Sequence, residues 1–134
     1  MILVDSSVWI DFFRGTSNAA SDQLVKLLKN GPVEVEVGVA DLVVYEVMRG
    51  FDLRKDQARA KDLLLSLVVV EIGGLENSLL AAEHYNILRG QGYTIRSPID
   101  VLLASYCITH NHLLLHRDAD FDVMETLRGL KAWH

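Results

Sequence analysis

The sequence contains one cysteine, two prolines and no apolar run long enough to cross a membrane. The single cysteine, Cys107, excludes an internal disulfide and is typical of a protein from a reducing cytoplasm. The longest apolar stretch, LLLSLVVV at residues 63–70, is far shorter than the roughly 20 residues that a membrane-spanning helix needs. The N-terminal segment lacks the basic flank of a secretory signal, so we expect no signal there.

Basic residues are also scarce: 13 lysines and arginines stand against 18 acids, and the net charge is −5. This balance argues against a protein that holds nucleic acid through bulk positive charge. It still allows an enzyme whose acids gather at one site and are neutralised by a metal ion. The chain has no Walker loop, low-complexity tract or Pro/Gly/Ser-rich linker. Its 134 residues, half of them hydrophobic, predict a single domain over residues 1–134 with a real core.

Short apolar runs alternate with amphipathic stretches along the chain. The runs predict strands at residues 2–5, 33–40, 68–72 and 112–116, with an edge strand at 130–133. The stretches between them predict helices at residues 6–15, 17–31, 41–51, 54–67, 75–92, 97–111 and 121–129. Expected caps include Ser6 or Ser7, Asp41, and Ser97 followed by Pro98. This alternation predicts an α/β fold, a three-layer α/β/α sandwich with a central, mostly parallel sheet.

Four acidic residues are expected to meet at one edge of this sheet. Asp5 ends the first strand and Asp118 follows the fourth, so both lie at the carboxyl edge, where sites form in such sheets. Glu46, among apolar neighbours, and Asp100 lie in helices that begin near the same edge. Converging carboxylates repel one another, and oxygen-only ligands favour Mg²⁺ or Mn²⁺ as the neutralising ion. Such a site suits hydrolysis of a phosphodiester.

Each acid also has a purely structural interpretation. Asp5 could cap the first helix, and Glu46 could be a surface acid. Asp100 lies three residues after Ser97, in an arrangement close to a capping box. Turn or cap roles are open for the acids that follow the fourth strand, Asp118, Asp120 and Asp122. For Asp122 we expect a role as the cap of the final helix. The functional interpretation therefore depends on the acids taken together and not on any single one.

Other metal-site and receiver interpretations compete with this one. A zinc hydrolase could use a cluster of three nearby histidines, His110, His112 and His116. A calcium loop starting at Asp118 is excluded, because its sixth position is Val123 rather than glycine. A phosphoacceptor receiver domain would need a lysine after the late strand, where this sequence has further acids.

Four segments carry a recognisable pattern: MILVDSSVWIDFFRG, YEVMRG, SPIDVLLASYC and LLLHRDADFD. Together they resemble the PIN-domain family and, within it, the VapC-type toxins of bacterial toxin–antitoxin modules. The resemblance implies a single-domain α/β/α fold and a Mg²⁺- or Mn²⁺-dependent endoribonuclease. The four acids of the family match Asp5, Glu46, Asp100 and Asp118. Three of them, Asp5, Asp100 and Asp118, are expected to hold the metal.

The resemblance also implies supporting residues and partners. Ser6 and Ser7 are expected to orient Asp5, and Asp120 to support the site. A small VapB-type antitoxin is expected to insert an arginine or lysine into the acidic cleft, and the toxin is expected to form a homodimer. Three arginines near the motifs are candidates for contacts with the RNA substrate or for structural ion pairs: Arg14, Arg49 and Arg117. The alternative is a catalytically silent PIN-like scaffold, although a silent member would be expected to lose an acid.

Two features depart from the family pattern: IDVLLASYC replaces a commoner I-A pattern after the third acid, which concerns helix packing, and the second lies nearer the site. The residue before Arg117 is often threonine in the family, but here it is His116. The change removes a hydroxyl near the expected metal and makes the imidazole a candidate for contact with the substrate.

Overall fold

A single sheet forms the middle of the molecule in the computed structural model, which describes residues 1–31 and 35–133. Its strands are β1 (Ile2–Val4), β2 (Val37–Ala40), β3 (Val68–Val70), β4 (Leu113–Leu115) and β5 (Lys131–Ala132). They lie in the order β3-β2-β1-β4-β5, and each neighbouring pair is parallel. The prediction of an α/β fold with a mostly parallel sheet is confirmed.

Helices connect the strands in two opposite directions. They are α1 (Ser6–Arg14), α2 (Ala19–Asn30), α3 (Asp41–Met48), α4 (Arg54–Leu65), α5 (Leu75–Gly90), α6 (Pro98–His110) and α7 (Ala119–Arg128). The first four lead from β1 through β2 to β3, and the last three lead the other way, to β4 and β5. Right-handed crossovers put oppositely directed connections on opposite faces of a sheet. The packing agrees, because α1 contacts α2 and α3, whereas α6 contacts α5 and α7.

The strands are shorter than predicted. The predicted second strand, residues 33–40, begins only at Val37, and Val33 and Glu34 lie outside the described residues. The third ends at Val70 rather than at Ile72. A strand extends only as far as its neighbours pair with it, and β1 offers just three residues for pairing. The apolar runs in the sequence are therefore longer than the strands that form. The predicted edge strand is present as β5.

The cap of α3 also differs from the prediction. Ala40 is the N-cap, and Asp41 is the first helical residue. The Asp41 carboxylate instead accepts hydrogen bonds from the amides of Leu42 and Ile72, each at 2.9 Å. This side chain therefore ties the start of α3 to the segment after β3.

The core lies on both sides of the central strands. Ile2, Leu3 and Val4 of β1 are all buried, as expected for a strand that helices cover on both faces. Trp9 of α1 and Phe121 of α7 are the largest of the fully buried side chains and lie in layers on opposite faces. Burying a large apolar side chain stabilises a fold by about 1.5–3 kcal/mol. The buried residues of β1 therefore hold the backbone of Asp5, which follows them, in a fixed position. None of the helices in the described ranges combines the length and the apolar character that crossing a bilayer requires.

Candidate active site

Asp5 and Asp118 lie where the chain changes direction across the sheet. β1 and β4 are neighbours, but the chain leaves β1 towards β2 and leaves β4 towards β5, which opens a crevice between their carboxyl ends. The Asp5 amide donates a hydrogen bond to the carbonyl of Leu115, the last residue of β4, at 3.0 Å. The two strands therefore hold the two acids at the mouth of the crevice.

Glu46 and Asp100 reach the same crevice from helices in opposite layers. Glu46 lies on α3, and its Oε1 accepts a hydrogen bond from Ser6 Oγ at 2.5 Å. Asp100 lies in the first turn of α6. Ser97 and Pro98 begin that helix as predicted, and the Ser97 side chain accepts from the Asp100 amide at 3.4 Å. The helix start thus fixes the backbone of Asp100 at the crevice.

All four acids line one open pocket of about 480 Å³. The rest of its wall consists of Ser6, Ser7, Ile10, Arg49, Gly50 and Ser97. Within the described residues, no three of the four carboxylates bring their oxygens within 4.8 Å of one another. The acids therefore surround a common space without forming a closed cage.

Burial and mutual repulsion raise the pKa of two of these acids. The pKa of Asp100 rises from 3.8 to about 7, first through burial and then through the charges of the nearby acids, Asp5 foremost. Burial also raises the pKa of Asp5, which is only 4% exposed, against the opposing effect of hydrogen bonds from Ser7. Raised values indicate carboxylates whose charge the protein itself does not offset. A donor set made of carboxylate oxygens fits a hard divalent cation, which would remove that repulsion.

The two serines after Asp5 hold different acids. Ser7 Oγ donates to Asp5 Oδ2 at 2.5 Å, as expected. The Ser6 hydroxyl donates to Glu46 instead, whereas the Ser6 backbone forms a hydrogen bond with the Asp5 carboxylate. Asp5 itself, rather than either serine, is the N-cap of α1. Consecutive residues of a helix point in different directions, and only Ser6 is directed towards α3.

The acids after β4 cap the final helix, though not in the predicted way. Asp118, not Asp122, is the N-cap of α7, and its Oδ1 accepts from the Asp120 amide at 2.9 Å. The helix begins at Ala119, earlier than predicted, so Asp122 falls in the exposed first turn. The Asp120 carboxylate accepts from the Arg96 amide at 3.4 Å. Asp118 thus both satisfies the helix end and lines the pocket.

The three candidate arginines lie in different environments. Arg117 Nε donates to Asp11 Oδ2 at 2.7 Å, which makes it a structural ion pair. Arg49 lines the pocket with its guanidinium 3.9 Å from Glu46 Oε2, and its side chain is 60% exposed. Arg14 is exposed at the end of α1 and lines a neighbouring groove. Arg49 therefore has the most direct access to the pocket.

His116 does not face the pocket. Its side chain is 5% exposed, with Nε2 lying 2.7 Å from Glu125 Oε2 and the ring packed against Phe121. This burial contradicts the expectation that the imidazole contacts a substrate. The zinc cluster is not assembled either. In the described part of the chain, the close group of potential ligands joins His116 to Asp122 and Glu125, without the other two histidines of that cluster.

A groove that the sequence did not predict adjoins the acidic pocket. It has a volume of about 600 Å³ and shares Ile10 and Gly50 with the pocket wall. Aromatic and cationic side chains make up half of its lining: Phe12, Phe13, Phe51, Arg14 and Arg59. The sequence does contain a signal for this groove, because FFR stands near the end of the segment that carries Asp5 and GF stands at the end of the segment that carries Glu46.

A parallel α/β sheet with four acids at its reversal point defines a PIN-like fold. The chain belongs to the PIN domain family, whose model matches residues 2–127.

Two curated relatives are 30% identical to the chain over 132 residues, covering 98% of it and 97% of each relative. They are the VapC ribonuclease Mb1587 of Mycobacterium bovis and the ribonuclease VapC11 of Mycobacterium tuberculosis. Among solved structures, VapBC2 from Rickettsia felis, bound to a promoter DNA fragment, matches with a TM-score of 0.74 and 18% identity over the full length of both chains. The predicted resemblance to VapC-type members of the PIN family is confirmed.

Proposed function

We propose that this protein is a divalent-metal-dependent endoribonuclease, the toxin of a VapBC-type toxin–antitoxin pair. The observation that carries the proposal is the pocket shared by Asp5, Glu46, Asp100 and Asp118. The ribonuclease names of the relatives at 30% identity support the reaction class. The substrate is RNA, and the bond hydrolysed is a phosphodiester.

Mg²⁺ or Mn²⁺ is the cofactor we propose for this pocket. Both ions prefer oxygen ligands, and carboxylates are the donors available here. When bound, the ion supplies an activated water and stabilises the charge that develops on the phosphate. The raised pKa values of Asp5 and Asp100 support this choice, because an added cation relieves the repulsion that helps to raise them.

The roles of the individual residues follow from their positions in the pocket. We assign Asp5, Asp100 and Asp118 to hold the ion, and Glu46 to complete the shell through water or a second metal ion. Ser7 holds the Asp5 carboxylate, and Ser6 holds that of Glu46. Asp120 supports Asp118 through the hydrogen bond from its amide. Such supporting contacts fix the direction of a ligand and tune its basicity.

RNA would enter along the cationic side of the pocket. Arg49 is mostly exposed and lies at the rim, close to Glu46. Arg14 extends the cationic surface into the neighbouring groove. Contacts from arginine to phosphate oxygens would position the backbone without reading its sequence. We expect Arg117 to contribute less to RNA binding, because its guanidinium already pairs with Asp11.

The proposed protein partner is a VapB-type antitoxin. The fold neighbour from Rickettsia felis is a VapBC complex, which supports a partner of this kind. An arginine or lysine side chain of the antitoxin would fit the acidic pocket by charge. A homodimer is proposed from family resemblance, and the cytoplasm is the compartment where RNA and such a partner would be met.

Cleavage of total cellular RNA tests the proposed function. The antitoxin-free protein is incubated with RNA and Mg²⁺ or Mn²⁺, with and without EDTA, beside an Asp5→Asn variant. Asparagine is as good an N-cap as aspartate, so this variant keeps the start of α1 while losing a carboxylate. We expect discrete fragments that disappear with EDTA and in the variant. No cleavage, together with no Mn²⁺ binding in calorimetry, would favour the silent scaffold.

A further inference from the structure

A buried imidazole links α7 to the backbone of Asp118. His116 Nε2 lies 2.7 Å from Glu125 Oε2, and the Asp118 amide donates to His116 Nδ1 at 3.3 Å. The ring is almost completely buried against Phe121, with ring centroids 5.0 Å apart. Glu125, on the second turn of α7, is thereby connected to the residue that caps the same helix.

The two contacts of the imidazole define which nitrogen carries the proton. A backbone N–H can only donate, so Nδ1 must be the acceptor for Asp118. In the neutral ring the proton then resides on Nε2, which donates to the Glu125 carboxylate. Both ring nitrogens are satisfied in this arrangement, as buried polar atoms should be.

The same tautomer argues against a second metal site at this place. One ligand atom each from His116, Asp122 and Glu125 can be chosen so that all lie within 4.8 Å of one another, as in a metal site. A metal at Nε2 would require the lone pair that the bonded proton occupies. It would also place the ring proton on Nδ1, facing the Asp118 amide, whereas a ligating histidine donates its second N–H to an acceptor.

We propose that His116, held by Glu125, is a positioning residue that fixes the direction of the Asp118 carboxylate. The contact from Nδ1 to the amide two residues later closes a turn like those that aspartate and asparagine form with their own backbone. Asp118 Oδ1 is held from the other side by the Asp120 amide. The backbone and the carboxylate of Asp118 are thus fixed together at the place where this residue lines the pocket. This inference rests on the proposed function, in which Asp118 holds the metal.

Mn²⁺ titration by calorimetry tests the proposal with four variants whose folding is checked by thermal unfolding. His116→Ala and Glu125→Ala each break the link, and we expect about tenfold weaker Mn²⁺ binding, as for other supporting residues of metal sites. His116→Asn should restore most of the affinity, because its side-chain oxygen can accept from the Asp118 amide in an Asx turn. Asp122→Asn is the control, and we expect wild-type affinity. Glu125→Ala keeps the test valid if His116→Ala does not fold, since alanine favours a helix.

The outcomes separate this inference from the function on which it rests. Wild-type binding that weakens in both alanine variants and recovers in His116→Asn supports the positioning role, because a merely structural residue would change stability without this pattern. Equal Mn²⁺ affinity in the wild type and Glu125→Ala overturns the inference and leaves the proposed function intact. Loss of binding in Asp122→Asn equal to that in Glu125→Ala overturns it in favour of a second metal site. If the wild type binds no Mn²⁺, the proposed function fails first, and the positioning role falls with it.

Discussion

The Ser6 hydroxyl donates a hydrogen bond to the Glu46 carboxylate across two helices of the same layer, at 2.5 Å. Ser6 is buried at the start of α1, and the Glu46 side chain is 18% exposed on α3. The contact therefore fixes an acid whose adjacent residues on α3 are apolar and whose ion pair with Arg49 is longer, at 3.9 Å. It makes the first turn of α1 a common support for Asp5, which Ser7 holds, and for Glu46.

Ser6→Ala should slow RNA cleavage about tenfold with little change in stability. The Glu46 carboxylate would lose its anchor and spend less time directed at the pocket, and losses of 10–100-fold are usual for supporting residues of metal sites. Initial rates at saturating Mn²⁺ give the measurement. Ser17→Ala is the matched control, because Ser17 also donates to a carboxylate, that of Asp22, but on the exposed surface. A rate in Ser6→Ala equal to that of the control would show that Glu46 needs no such support.

Asp100→Asn should change how stability depends on pH. Burial and the neighbouring acids raise the pKa of Asp100 from 3.8 to about 7 in the protein without metal. The folded chain therefore keeps a proton that the unfolded chain releases, so the stabilising contribution present below pH 3.8 is lost as pH rises towards 7. In EDTA, the variant should unfold at a higher temperature than the wild type, by a margin that grows between about pH 4 and 7. If the unfolding temperatures of the two proteins differed by the same amount across this pH range, the repulsion assigned to Asp100 would be contradicted.

Adding Mn²⁺ provides the control for this experiment. An ion in the pocket favours the ionised carboxylate, so it should recover the stability of the wild type at pH 8. The Asp100→Asn variant lacks one ligand and should gain less. An equal gain in both proteins would place the ion elsewhere.

Asp11→Ala should lower the free energy of unfolding by about 2 kcal/mol. The buried Asp11 carboxylate accepts from Arg117 at 2.7 Å and from Asn18 at 2.9 Å, and breaking hydrogen bonds of a charged, buried group costs about 1.5–3 kcal/mol. Urea denaturation measures the change. Asp62→Ala, which removes an exposed acid on α4, should alter stability by less than about 0.5 kcal/mol. Equal effects in the two variants would mean that the Arg117 pair is not structural.

Arg49→Ala should weaken RNA binding and reduce its dependence on salt. In an Asp5→Asn background, which prevents cleavage, losing one phosphate contact should lower the slope of log affinity against log salt by about one. Arg89→Ala is the matched control, since its guanidinium also lies over a tyrosine ring, at 5.4 Å compared with 5.2 Å for Arg49. Identical salt slopes for the two variants would show that Arg49 does not contact the RNA backbone.

The order and type of the secondary structure elements could be predicted because burial imposes a pattern on the sequence. β1 is covered on both faces and so appears as an uninterrupted apolar run. The start of α6 is coded locally, by Ser97 and Pro98. The crevice could be located as well, because the chain order of a parallel sheet determines which strand ends meet.

Contacts between side chains could not be predicted in the same way. Near α1 and α7, several adjacent residues can act as a cap, and packing selected Asp5 and Asp118 over the serines and Asp122. The partner of Ser6 depends on how α1 and α3 pack. His116 resembled a site residue by position, but its direction is set by Glu125, on a later helix.

Mn²⁺ binding to the wild type and to Asp5→Asn tests the central claim, that the four acids form one metal site, most directly. Calorimetric titration at pH 8 limits the competition of protons with the ion at Asp100, whose pKa is about 7. The account predicts saturable binding to the wild type and no measurable binding to Asp5→Asn, with both proteins folded. Wild-type affinity in Asp5→Asn would contradict it, since the ion would then be held without one of the four carboxylates that line the pocket.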